Sequence, residues 1–221
     1  MRASRLALAF AGFLALFLLA TLPLRLVLDG SSISARSVSG SVWSGTLSAA
    51  TWRGLSVGDV SLGLAPLPLL TGTRRIDVGT ATLTGSIESG RGGGAVRGFN
   101  GTASPGRIAG LPITGLSFAD FTAGFRDGRC DAASGSLTVT LGGPLADRGS
   151  FSGVPRCDGD RLLLPLQANA ARLELRLADG GAFTAQVDLD AVEPAARPAL
   201  LAGGFQPTPT GFALTLQGTL Q

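Results

Sequence analysis

Residues 54–58 run Gly54-Leu55-Ser56-Val57-Gly58, the G-x-S-x-G pattern of a nucleophile elbow. In that motif a serine on a strand-to-helix turn gives its proton to a histidine. The chain contains no histidine. The flanking residues read as strand on both sides, so Ser56 belongs to a glycine-containing hairpin between Trp52 and Val60. Gly90-Arg91-Gly92-Gly93-Gly94-Ala95 fits G-x-G-x-x-A, but no following helix is predicted to hold a pyrophosphate, and the segment reads as a hairpin loop or connection. Lysine is absent too, which excludes a P-loop and Schiff-base chemistry.

Carboxylates are the remaining chemical candidates. Asp188 and Asp190 are two apart in a predicted strand, so they share a face and could form an acid/base pair. The same alternation turns Val187 and Leu189 to the core and leaves both carboxylates in solvent. Asp158-Gly159-Asp160 could offer oxygens to calcium, yet turn chemistry accounts for those residues with less. The expected inventory is therefore empty: no catalytic residue, no cofactor site, no metal site. The chain is not expected to be an enzyme.

Two kinds of residue keep a structural role. Cys130 and Cys157 are the only cysteines, and a disulfide between them is expected if that part of the chain is exported to an oxidising compartment. Free buried thiols are the alternative; a metal site lacks further ligands. Trp43 and Trp52 are the only tryptophans, in Trp43-Ser44-Gly45 and Trp52-Arg53-Gly54. Such pairs fit rings packed over residues that have no side chain, a docking surface, or a membrane interface.

The elements that would carry these residues begin with an apolar run from Leu6 to Leu24 behind Arg2 and Arg5. About 20 apolar residues suffice for a helix to cross a bilayer, and basic residues before it hold the N-terminus in the cytoplasm. We expect a cytoplasmic segment 1–5, a transmembrane signal-anchor helix 6–24 and a periplasmic β-rich domain 25–221. A cleaved signal peptide is the competing reading, but the run is longer than a signal core and ends without a small-x-small site.

All 18 basic residues are arginine, and three of them (Arg2, Arg5, Arg25) flank the apolar run; the remaining 15 balance 15 acids. A domain with no net charge and no basic runs has no footprint for a nucleic acid.

Beyond Arg25, period-2 alternation recurs: around Val38, Val42 and Leu47, from Val57 to Leu64, and as one long strand from Ile76 to Ile87. It returns over Ile113–Phe121, Gly135–Leu141, Leu173–Leu177, Phe183–Leu189 and Phe212–Leu220. Turn signals separate these stretches, among them Asp127-Gly128, Gly142-Gly143-Pro144 and Asp179-Gly180-Gly181. Strands that bury one face and wet the other predict an all-β antiparallel domain, a twisted sheet, half-barrel or sandwich. One short helix is predicted over Glu193–Leu201, with Pro194 in its first turn and Gly203-Gly204 as its stop.

The order of several short motifs resembles the protein N family of the bacterial type II secretion system. After the N-terminal anchor comes Gly40-Ser41-Val42-Trp43-Ser44-Gly45, then Pro66-Leu67-Pro68-Leu69-Leu70-Thr71-Gly72. Farther on stand Cys130-Asp131-Ala132-Ala133-Ser134-Gly135, Gly143-Pro144-Leu145, Cys157-Asp158-Gly159-Asp160, and Ala202-Gly203-Gly204-Phe205 with Gly211-Phe212. In the strand before Pro66 the resemblance leads one to expect an aromatic, where this chain has Leu62 and Gly63. The resemblance implies a non-enzymatic accessory component of the secretion machinery in the bacterial inner membrane. Its partners would be other inner-membrane and periplasmic parts of that machine, and the lipid bilayer through the N-terminal helix. The segment Val38–Gly72 also resembles AsmA-like envelope proteins, which gives the alternative of a lipid-binding or lipid-transfer groove.

Overall fold

The computed structural model describes residues 10–14, 17–28, 33–52, 55–108 and 111–219. They divide into two compact units, Met1–Ala81 and Thr82–Gln221. The alternation from Ile76 to Ile87 is interrupted between them: one strand ends at Gly79 and the next begins at Leu83. Alternation alone does not register such a break, because Thr80, Ala81 and Thr82 keep the period without a turn residue.

In the first unit, β1 (Ile33–Ser34) and β2 (Ser37–Ser41) both pair with β3 (Ser44–Trp52), β3 pairs with β4 (Leu55–Leu64), and β4 with β5 (Arg74–Gly79), all antiparallel. A bulge at Ala49, with φ of 48°, interrupts the β3–β4 ladder, and the Asp59 carboxylate accepts its N–H at 2.9 Å. The core is small: Leu24, Leu47, Ala50 and Val60 are buried, with Val38, Leu62 and Val78 packed against them.

The second unit is an antiparallel meander. β6 (Leu83–Gly90), β7 (Gly93–Ala103), β9 (Leu111–Arg126) and β10 (Arg129–Leu141) pair in that order, with the short β8 (Gly106–Ile108) on β9. β10 continues to β11 (Ser150–Gly153), which touches β13 (Arg161–Ala168), and β12 (Arg156–Asp158) pairs with β13 as well. β14 (Ala171–Leu177), β15 (Ala182–Asp190) and β17 (Gly211–Thr219) follow, with β16 (Gln206–Pro207) on β17.

Inward residues form rows across the strands. Leu166, Leu173, Val187 and Leu214 stand in register, and so do Leu164, Leu175, Ala185 and Leu216. This apolar face packs on itself: Val139, Leu141 and Phe151 share one cluster with Leu166, Val187 and Phe212. Phe151 and Val187, at the centre of this cluster, are wholly inaccessible to solvent.

A row of bulges lets the sheet curl. Gly98, Asp120 and Gly135, on β7, β9 and β10, have φ of 59°, 49° and 80° at breaks in strand register. Asn100 ties the row: its side-chain carbonyl accepts the Asp120 N–H at 2.8 Å and its amide donates to the Gly98 carbonyl at 3.1 Å. Bulges bend a strand and raise its twist.

The expected helix is present as a 3₁₀ turn, Pro194–Ala196, leading into an α-helix, Arg197–Ala202. It buries Leu200, and Gly204 ends it with φ of 86°. The glycine-rich stretch at 90–94 is the tight connection between β6 and β7, Gly90 facing Gly93.

Among the described residues, no helix is long and apolar enough to cross a membrane. The expected span 6–24 lies in part outside them; within it, residues 10–14 and 17–20 are helical. The helix stops short of Leu24, which belongs to the core of the first unit.

Candidate functional site

The helical stretch that ends at Ala20 is apolar and exposed on its described faces: Phe10, Phe13, Phe17, Leu18 and Leu19 are each more than half exposed. Water gives such a surface no partner. The chain then turns directly onto the first unit's sheet at the tip of the β2–β3 hairpin, whose two turn residues are Val42 and Trp43. The Val42 N–H donates to the Leu22 carbonyl at 3.0 Å, and Pro23 bridges to Ser41. The Trp43 indole N–H donates to the Leu19 carbonyl at 2.9 Å, an acceptor in the last helical turn that also takes a longer bond from the Leu22 N–H at 3.4 Å.

Glycines make room for this landing. Gly40 and Gly45 face each other across the hairpin. A Cβ on Gly45 would meet the Leu24 side chain at 2.5 Å and the Ser39 and Ser41 carbonyls at 3.0 Å. A Cβ on Gly63 would meet the Trp43 carbonyl at 3.0 Å, which gives a reason for glycine in the strand before Pro66. The hairpin also bonds the other way, for the Leu64 N–H donates to the Val42 carbonyl at 2.9 Å. The Gly-x-Val-Trp-x-Gly element is therefore a hairpin tip that receives the end of the apolar helix on one side and the last residue of β4 on the other.

The other candidate residues fall at separate places. Ser56 lies within β4 with Thr51 opposite it, on an antiparallel strand rather than a strand-to-helix turn. Gly54 and the side chains of Ser56 and Trp52 lie outside the described residues, while the Trp52 backbone pairs with Ile33 and Leu55. Cys130 and Cys157 are joined by a disulfide with Cα atoms 5.4 Å apart, linking β10 to β12. Asp158-Gly159-Asp160 forms the turn from β12 to β13, with Gly159 at φ of 63°.

Asp190 is exposed and Asp188 half-exposed, while Val187 and Leu189 are buried. Asp188 takes hydrogen bonds from the Gln186 amide at 3.0 and 3.2 Å and, with Asp190, Arg172 and Thr208, lines an open cavity of about 260 Å³. Among the described residues no group of three or more Cys, Asp or Glu is placed to hold a metal. Arg176, exposed on β14, is held above its ordinary pKa by the hydrogen bond to Glu174 and then by that carboxylate's charge.

Fold and junction together define a class: an all-β antiparallel protein hung from an apolar N-terminal helical segment by a tryptophan-tipped hairpin. The chain belongs to the family of type II secretion system protein N, which it matches over residues 31–215. No curated protein and no solved structure matches it significantly. Membership makes this chain a component of a secretion machine of the cell envelope.

Proposed function

We propose that this protein is a non-enzymatic, accessory structural component of the type II secretion machinery, held in the inner membrane by the apolar part of residues 6–24 that precedes the hairpin landing at Leu22–Leu24, with residues 1–5 cytoplasmic and the β-rich remainder, into whose core Leu24 packs, periplasmic. The family match over residues 31–215 carries the reading. The junction supports the anchored topology, because the exposed apolar helix is bonded to the hairpin tip rather than folded back into a core. A disulfide between Cys130 and Cys157 suits an oxidising periplasm. The buried cluster of the second unit, in which Phe151, Val187 and Leu189 lie together, favours a scaffold over an AsmA-like lipid groove. Partners are the other inner-membrane and periplasmic subunits of the machine, engaged by the apolar helix or by sheet edges.

The test uses the full chain with a C-terminal tag at native level. Protease added to spheroplasts is expected to remove the tag, and mild-detergent purification is expected to bring down other subunits of the machine. A tag protected in spheroplasts, or purification without any such subunit, would overturn the reading.

A further inference from the structure

The turn after β4 exposes apolar side chains that the fold does not require to be exposed. Pro66–Leu69 forms a single helical turn, with Leu67 75% and Leu70 85% exposed. The turn is rigid. The N–H groups of Leu70, Thr71 and Gly72 donate to Leu67, Pro68 and Leu69, the Thr73 N–H returns to Pro68, and the Thr71 hydroxyl also donates to Pro68 at 2.8 Å. Two prolines fix the backbone further. Closed by these bonds, the turn holds both leucines away from the fold.

Its position in the first unit is set by a short ladder of backbone bonds. Leu22, at the exit of the apolar helix, bonds Val42, and Val42 bonds Leu64, the residue that leads into the turn. The root of the turn thus stands two strand spacings, about 10 Å, from the helix exit. Basic residues lie at the same end. Arg25 is exposed just past the exit, and Arg74 and Arg75 open the strand after the turn, where the Arg75 carbonyl receives the Ala65 N–H at 2.9 Å. Leu26, next to Arg25, is 59% exposed.

We propose that Leu67 and Leu70 form a prong that inserts into the interface of an anionic lipid bilayer beside the anchoring helix, with Arg25 and Arg74 against the headgroups. The proposal rests on the membrane-anchored reading. Apolar side chains among basic ones are the composition of an interfacial contact, in which burial of leucine adds to attraction for anionic lipid. With the prong seated, the first unit has two points of attachment to the membrane, and its tilt against the bilayer is set by more than the helix to which the hairpin tip is bonded.

The test places a photo-crosslinking benzoylphenylalanine at position 70 in the full chain, reconstituted in vesicles of phosphatidylethanolamine and phosphatidylglycerol. Position 13 in the apolar helix reports the anchor, and position 154, also exposed, serves as a background site. Lipid adducts are read by mass spectrometry. The expected result is adducts at positions 13 and 70, each several-fold above position 154, with the position-70 yield falling in phosphatidylcholine vesicles. Adducts at 13 but not 70 would overturn the prong and leave the anchor standing. Adducts at neither would overturn both, and protein adducts at 70 in place of lipid would make the prong a protein contact and overturn this proposal.

Discussion

At the scale of single residues, Trp43 and Gly45 carry the junction. Trp43→Phe keeps an aromatic side chain, with a smaller ring than indole, and removes the N–H that reaches Leu19. A neutral hydrogen bond is worth about 1 kcal/mol net, so hydrogen exchange at the Val42 amide is expected to quicken roughly 5-fold, and an unchanged rate would dismiss the bond. Gly45→Ala forces a methyl against Leu24 and is expected to cost the first unit about 1–3 kcal/mol. Combining it with Leu24→Ala removes the closest clash and leaves the two carbonyl contacts at 3.0 Å, so the double variant should fall short of the two single effects added. Chemical denaturation followed by tryptophan fluorescence reads this unit selectively, because Trp43 and Trp52 both lie before Ala81 and the chain has no tyrosine. That Trp43 stands among glycines was legible in the sequence. Its hydrogen bond to a residue 24 positions earlier was not, since no local pattern reports where a helix end will land.

Strands were legible where their two faces differ and obscure where they do not. β14, β15 and β17 alternate cleanly because one side faces the core and the other water. β13 has three consecutive buried leucines, Leu162–Leu164, followed by Pro165, a pattern that alternation cannot assign and that proline argues against. β7 was hidden by its glycines, which serve the bulge row and have no side chains to alternate. Asn100 gave no signal as a lone polar residue, although it ties Gly98 to Asp120. Asn100→Ala is expected to cost about 1 kcal/mol and to raise exchange at the Asp120 amide; protection equal to the parent would show that the bulges hold without it. The cystine closes β10 onto β12 across a separation of 27 residues. Its removal in a Cys130→Ser, Cys157→Ser double variant is expected to lower stability by about 3–4 kcal/mol on the loop-entropy model. Calorimetry would show this as a lower Tm, and an unmoved Tm would mean the cross-link constrains little.

For the whole molecule, the absence of histidine and lysine turned the reading away from catalysis, and the balance of charge beyond Arg25 turned it away from nucleic acid. What remained was an apolar segment, a β-rich body and a series of motifs resembling the type II secretion system protein N family, to which the match over residues 31–215 assigns the chain. The division after Ala81 was not legible, because Gly79, where β5 ends, sits inside an alternation that Thr80, Ala81 and Thr82 continue. The measurement that reaches the central claim most directly is an in-frame deletion in the native host, comparing extracellular and periplasmic enzyme levels with outer-membrane permeability to a bulky dye. A role in secretion predicts that normally secreted enzymes fall outside the cell and accumulate in the periplasm behind an intact barrier. A leaky barrier with normal secretion would contradict it and put a lipid-handling role in its place.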